Sequence, residues 1–244
     1  MATRELSAAD VDVWLVPRPL LLRDPLLLAR YDALLAPAER ERLARIVHEE
    51  TRHEYLVARA LVRTTLSRYD AVPPEAWRFE VNPFGRPALA PGQTAKDLRF
   101  NLSHAHGLIA CAVTLGRAVG IDVEWNERDG SSLLGSIEHF FSPSEVRETM
   151  ARPAGERMAR FFRVWTLKES YIKAHGKGLS IPLADFSFHF DGAGGEVRLS
   201  PCPGDNAERW RSWVWAPDDE HTVALTAEFA PGEEVRMQIE RVTP

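Results

Sequence analysis

Twice along this chain a helical hydrophobic period gives way to an alternating one, and that order constrains the fold more than any composition value. Across residues 37–69, Leu43, Ile46, Val47, Tyr55, Leu56, Ala60, Leu61 and Thr64 recur at three- and four-residue intervals, the spacing of one long helix or two short ones. Pro73 and Pro74 stop that pattern. WRFEV then alternates from Trp77, and strands are expected at residues 99–103, 108–115 and 119–125, separated by glycine-containing turns as in an antiparallel meander. Residues 126–155 read as loop, with a short helix opening at Ser142-Pro143. A stronger helix is expected over 157–175, stopped by Gly176 and Gly178. Alternation returns in DFSFHF, which puts Phe186, Phe188 and Phe190 on one face, and in WRSWVW, HTVALTAEF and VRMQIERV. Helices then strands, twice over, predict an α+β fold of two similar α+β halves, residues 1–117 and 118–244, with antiparallel sheets and packed helices. A doubly wound parallel sheet explains that order less well. No residue-level repeat marks a duplication.

The chain has 244 residues, between one and two ordinary domains, and its 45% hydrophobic content suits a packed core. Thirty basic against thirty-five acidic side chains leave a formal charge of −5, which argues against a nucleic-acid or anionic-membrane surface. Any anion must therefore be met by a local cluster. The two cysteines, Cys111 and Cys202, lack a CxxC spacing, so a reducing compartment is expected. The first residues lack a basic-then-apolar leader, and the leucine-rich stretch at 19–29 is broken by Arg23, Asp24 and Pro25. A soluble cytoplasmic protein is expected.

Three segments carry polar residues in patterns that chemistry uses. In GIDVE, Asp122 and Glu124 lie two apart on a strand and share one face, while Ile121 and Val123 take the other. Two close carboxylates need a neutralising cation, and hard oxygen donors suit Mg²⁺, although the polar face of an amphipathic strand gives the same pattern. In WTLKESYIKAHGKGL, Trp165, Glu169 and Lys173 fall four apart on one helical stripe with Lys168 beside them. An ordinary Glu-to-Lys helix pair followed by a glycine cap is the competing explanation. In FNLSH, Asn101 and Ser103 share a strand face and His104 opens the turn, an arrangement fit for phosphate or for a plain polar strand end. A Ser-His hydrolase is disfavoured because neighbouring residues do not aim at each other and no GxSxG elbow is present. His48 and His53 are five apart, about 140° around a helix, which excludes a zinc helix. Arg40, Arg42, Arg45, Arg52, Arg59 and Arg63 are interspersed with glutamates and read mainly as a solvated helical face.

Taken together, GRPAL (85–89), FNLSH (100–104), GIDVE (120–124), FFSPSE (140–145) and the helix motif at 165–179 resemble the Sfp-type 4′-phosphopantetheinyl transferases. The resemblance covers most of the chain, and the pairing of G-I-D-x-E with W-x-x-K-E-S-x-x-K-x-x-G-x-G-L is its most specific part. It implies a pseudo-dimer of two α+β halves with coenzyme A between them. It implies transfer of the phosphopantetheine arm to a serine of an apo acyl or peptidyl carrier protein in polyketide, nonribosomal-peptide or fatty-acid synthesis, with release of adenosine 3′,5′-bisphosphate. Carried over residue by residue, Asp122, Glu124 and Glu169 would hold Mg²⁺, with Asp122, Glu169 and Lys173 the catalytic set. Glu169 would also be the base for the incoming serine, directly or through water. Lys168 and Lys173 would neutralise phosphate oxygens, while Arg86, Ser103 and His104 would bind the coenzyme A phosphates, the 3′-phosphate included. Where the family often has lysines near the N-terminus this chain offers Arg40 and Arg42, and Arg42 is the choice. Glu145 matches a family acid, and the loop at 126–152 would form part of the carrier surface. A monomer is expected. A noncatalytic coenzyme A or nucleotide-binding module and an Mg²⁺-dependent phosphohydrolase are the rivals.

Overall fold

The computed structural model describes residues 3–18, 23–127, 131–191 and 196–244. The first helical stretch is three helices, α1 (Pro25–Leu34), α2 (Pro37–Arg45) and α3 (Glu49–Leu66), preceded by a strand, β1 (Asp10–Pro17). A small hairpin, β2 (Phe79–Val81) with β3 (Pro87–Leu89), leads into β4 (Leu98–Ala105) and β5 (Leu108–Leu115). Beyond them come β6 (Val119–Trp125), the short helices α4 (Ser131–Gly135) and α5 (Pro143–Met150), and the long α6 (Ala154–His175). Five strands close the chain: β7 (Ser187–Asp191), β8 (Glu196–Ser200), β9 (Trp210–Trp215), β10 (His221–Glu228) and β11 (Arg236–Arg241). Residues 19–22 of the leucine-rich stretch and 128–130 of the expected carrier-facing loop lie outside the described residues. Among the described residues, no helix is long and apolar enough to cross a membrane.

The layers follow from which face of each strand is apolar. Val11, Val13 and Leu15 of β1, with Leu108, Ala110 and Ala112 of β5, meet Val119, Ile121 and Val123 of β6 and Val223, Leu225 and Ala227 of β10 in one core between two sheets. Trp14, Val16, Ile109, Cys111 and Val113 point the other way, into α1 and α3. On the far side, Leu167, Tyr171, Ile172 and Ala174 of α6 pack on Ala224, Trp210 and the phenylalanines Phe186 and Phe188. The result is helix, sheet, sheet, helix in four layers, an α+β architecture.

One strand departs from two self-contained antiparallel halves. β11 follows β10 in sequence but leaves its sheet and pairs parallel with β1, giving a four-stranded sheet in the order β11-β1-β5-β4 beside a three-stranded β6-β10-β9. Among the described residues the other ladders are antiparallel. The proposed division at 117/118 falls in the β5–β6 turn, and the last strand crosses it.

The seam between the sheets is made by side chains. Among the described residues β4 and β6 share no backbone ladder; Asn101 Oδ1 instead accepts the Ile121 N–H at 2.9 Å and Ser103 Oγ accepts that of Val123 at 3.3 Å. Beside that seam α6 lies directly on β6 at Gly120, where an added Cβ would stand 2.1 Å from the Ser170 carbonyl oxygen and 2.3 Å from the Ala174 nitrogen. Both are helix backbone, which cannot swing aside. Gly120→Ala is therefore expected to push α6 off β6 and to cost about 3 kcal/mol of stability in urea unfolding. An unchanged midpoint would show that the helix tolerates the displacement.

Candidate active site

The alternation of β6 fixes where its acids go. Ile121 and Val123 are buried between the sheets, so Asp122 and Glu124 face the side that carries α6. From α6, Lys173 reaches across: its Nζ lies 2.6 Å from Asp122 Oδ1 and 2.9 Å from Ser103 Oγ, and the Ser103 hydroxyl donates to the same Asp122 oxygen at 2.9 Å. Asp122 Oδ2 is buried with no hydrogen-bond partner among the described residues. Such an oxygen is costly unless a ligand completes it. Two turns earlier on the helix, the Trp165 indole N–H donates to Glu124 Oε1 at 2.7 Å, tying the second acid to α6.

Glu169 stands one turn before Lys173 on the same stripe. Burial, then the charge of Asp122, push its carboxyl up to about 7 from the ordinary 4.5, with Lys173 pulling the other way. Asp122 and Glu169 thus feel each other across the seam, but the three acids are not drawn together: Asp122 and Glu124 line one hollow and Glu169 another, the two meeting at Lys173, and the carboxylate oxygens of the three do not all lie within 4.8 Å of one another. Three oxygen-donor side chains from β6 and α6 fit a hard divalent ion better than a soft one.

Three hollows share walls around this cluster. One of about 590 Å³ is lined by Ser103, His104, Asp122, Glu124, Trp125 and Lys173. A second, about 280 Å³, runs past Glu169 and Lys173 to Phe84, Arg86 and Gly178. The third, about 160 Å³, lies under α3 against Tyr55, Arg59 and His104. His104 lines both the first and the third hollow; desolvation, then Lys173 and Arg59, hold its imidazole below its ordinary value. Arg42 is exposed, its guanidinium 5.5 Å from the centre of the Tyr55 ring, which itself lines the third hollow. Arg59 sits over the same ring at 5.2 Å, with its Nε buried and without a hydrogen-bond partner among the described residues. Arg59 belongs to the helical arginines expected on a solvated face; its spacing of four from Tyr55 is the sequence signal for this placement.

Of the expected phosphate ligands, Lys168 is committed to the core, whereas Arg86 and Ser103 make structural bonds while still lining the hollows. Lys168 follows Leu167 rather than the Glu169–Lys173 stripe, and about 100° of helix turns it into the core. It is fully buried, its three N–H donors going to the carbonyls of Leu183 at 2.7 Å and Phe186 at 2.6 Å and to Glu145 Oε2 at 2.8 Å. Lys168 therefore does not face the groove. Glu145, also fully buried, caps α5 by accepting the Ser142 N–H at 2.9 Å and holds the Phe188 N–H at 2.9 Å. The Arg86 guanidinium donates to the Ala174 carbonyl at 2.8 Å and the Val119 carbonyl at 2.9 Å, joining the N-terminal hairpin to the end of α6. Carbonyls at a helix end lack partners of their own, which explains that use. The Ser103 hydroxyl gives its proton to Asp122, which positions that acid, while the side chain still lines the hollow.

Comparison with known proteins places both sides of the seam. Residues 118–226 match the family model of the 4′-phosphopantetheinyl transferase superfamily, and residues 27–115 match that of the 4′-phosphopantetheinyl transferase N-terminal region. The 4′-phosphopantetheinyl transferase Sfp of Bacillus subtilis is 33% identical over 165 residues, 67% of this chain and 70% of that protein. The 4′-phosphopantetheinyl transferase HetI of Nostoc sp. is 33% identical over 223 residues, 90% of this chain and 88% of its own. A solved holo-(acyl-carrier-protein) synthase from Bacillus anthracis, in complex with CoA (3′,5′-ADP), is 18% identical with a TM-score of 0.40, covering 46% of this chain and 96% of that one.

Proposed function

The chain belongs to the 4′-phosphopantetheinyl transferases, and from that premise we propose how its seam moves the 4′-phosphopantetheine group of coenzyme A onto a serine of an acyl or peptidyl carrier protein. The observation that carries the reading is the unpartnered buried oxygen of Asp122 beside an acid, Glu169, whose carboxyl is pushed up to about 7. Hard oxygen donors suit Mg²⁺, and Asp122, Glu124 and Glu169 would hold it once the side chains close around the ion. Bound there, the ion would offset the charge that builds on the pyrophosphate as its bond breaks.

The remaining work falls to side chains. Glu169, titrating near neutrality, is suited to take the proton of the incoming serine hydroxyl, directly or through water. As the serine oxygen bonds to the phosphorus of the pantetheine-linked phosphate, the phosphoanhydride bond breaks and adenosine 3′,5′-bisphosphate leaves. Lys173, half-buried with its ammonium already between Asp122 and Ser103, is placed to neutralise the phosphate oxygens. His104 and Arg59 line the third hollow and Arg42 stacks on Tyr55 of its wall, and we assign the three to the adenosine-side phosphates. Lys168 holds the scaffold, and Arg86, which also joins the hairpin to α6, lines the hollow beside Glu169 and Lys173 where a phosphate can reach it. Because the formal charge is −5, this local cluster, and no general basic surface, must meet the polyanion. The reading is of a single-chain enzyme working in the reducing cytoplasm, consistent with two free thiols.

With coenzyme A, Mg²⁺ and an apo carrier protein, mass spectrometry should find the carrier heavier by one phosphopantetheine arm, and chelation should abolish the gain. Binding of coenzyme A without product from any of a panel of apo carriers would leave only a binding module. Cleavage without an acceptor would make the protein a phosphohydrolase.

A further inference from the structure

Away from the seam, at the far end of α6, a second set of metal-binding side chains comes together. His175 is the last residue of the helix, and Cys202 and Asp205 stand three apart in the turn between β8 and β9, closed by the Asp205 N–H to the Cys202 carbonyl at 3.1 Å. One ligand atom from each of the three lies within 4.8 Å of the other two, and all three residues are half-buried. The His175 Nε2 is 2.8 Å from Asp205 Oδ2; since a carboxylate only accepts, the imidazole proton sits on Nε2 in this contact.

The surroundings hold the three in place. The His175 ring is packed edge-on against Tyr171, with 4.6 Å between ring centres, and lies 4.8 Å from the Trp210 ring. Tyr171 Oη donates to Asp205 Oδ2 at 2.6 Å and lies 3.4 Å from Cys202 Sγ, and the Trp210 indole N–H donates to the same oxygen at 2.6 Å. The other carboxylate oxygen accepts the Asn206 N–H at 2.8 Å and lies 3.5 Å from Arg209, whose charge is also met by Glu228 at 2.6 Å. Metal sites use such outer donors to orient their ligands. Burial holds His175 below its ordinary value, with Asp205 pulling the other way.

We propose that His175, Cys202 and Asp205 form a binding site for Zn²⁺, separate from the Asp122–Glu124–Glu169 cluster. A thiolate, an imidazole and a carboxylate are a donor set that Zn²⁺ accepts and Mg²⁺ does not, and three protein ligands leave a fourth position for water. On binding, the ion takes the place of the Nε2 proton, which moves to Nδ1, and the Cys202 thiol loses its proton to solvent, so one proton is released per ion. The ion then ties the C-terminus of α6 to the β8–β9 turn.

Chelator-treated full-length protein in Mg²⁺-free buffer is titrated with Co²⁺ as an optical stand-in. One equivalent should produce an intense near-ultraviolet thiolate-to-cobalt band with visible bands of a tetrahedral ion, both bleached by Zn²⁺. Cys202→Ser should remove the near-ultraviolet band, His175→Gln should weaken Co²⁺ binding at least tenfold, and Asp122→Asn should leave both intact. Zn²⁺ at a hundredfold excess over Kd should also raise the wild-type Tm by about 5 °C or more. The proposal fails if the wild type gives no thiolate band, if that band survives in Cys202→Ser, or if Asp122→Asn abolishes it.

Discussion

Glu169→Gln should be nearly inactive and, at pH 8, more stable than the native chain. The loss of turnover follows from removing one oxygen ligand and the proton acceptor together, about a thousandfold by the usual size of either effect. The gain in stability comes from the same shift read in the other direction. A carboxyl raised in the folded state from 4.5 to about 7 keeps its proton when folded at a pH where the unfolded chain has lost it. Folding then takes up a proton, so stability falls as pH rises from the unfolded value through the folded one, and the cost is fully present above about 7. Over that span it amounts to about 3 kcal/mol at most, and glutamine, which never ionises, escapes it. The Tm of Glu169→Gln should therefore exceed that of the native chain by several degrees at pH 8 and match it near pH 4.5. Saturating Mg²⁺ should narrow the gap at pH 8 by stabilising the native carboxylate. Parallel Tm curves for the two proteins across that range would mean that Glu169 is not strained by its neighbours.

That strain was only partly legible in the sequence, and the reasons are physical. Asp122 and Glu124 could be placed on one face because strand side chains alternate, and the Glu169–Lys173 stripe because four residues make about one helical turn. Neither pattern says that a strand and a helix far apart in the chain meet. Only the family motifs joined them, and in the structure the junction is the Gly120 contact with the backbone of α6. β1 escaped notice because it is buried on both faces: Val11, Val13 and Leu15 enter one core and Trp14 and Val16 the other, so DVDVWLVP lacks a solvent side. The parallel pairing of β11 with β1 could not be read either, since alternation in VRMQIERV declares a strand without naming its neighbour. Gly176 was legible as a helix stop, and it does end α6 with φ of 69°.

Lys168 marks the limit of reasoning by stripes, and it leads to the other large expected effect. One residue from Glu169 in sequence, it was grouped with the phosphate ligands, yet it and Glu145 form an ion pair with neither side chain exposed. Breaking such a pair leaves a bare charge in the core, and Lys168→Met should cost about 3 to 5 kcal/mol in urea unfolding. Glu145 would then keep its bonds to Ser142 and Phe188 but lose its cation, while the Leu183 and Phe186 carbonyls would lose their donor. Lys168→Met combined with Glu145→Gln removes both charges and should recover part of that loss, because glutamine can still cap α5. The two roles separate in the kinetics of the folded fraction. A scaffold lysine leaves KM for coenzyme A within about twofold of native, whereas the loss of a charge-assisted phosphate contact, at about 1.5 to 3 kcal/mol, would raise it about tenfold or more. A Lys168→Met protein with native stability and a tenfold higher KM would return this lysine to the substrate; a destabilised protein with native KM would fix it as the bolt that holds α6 against α5 and the start of β7.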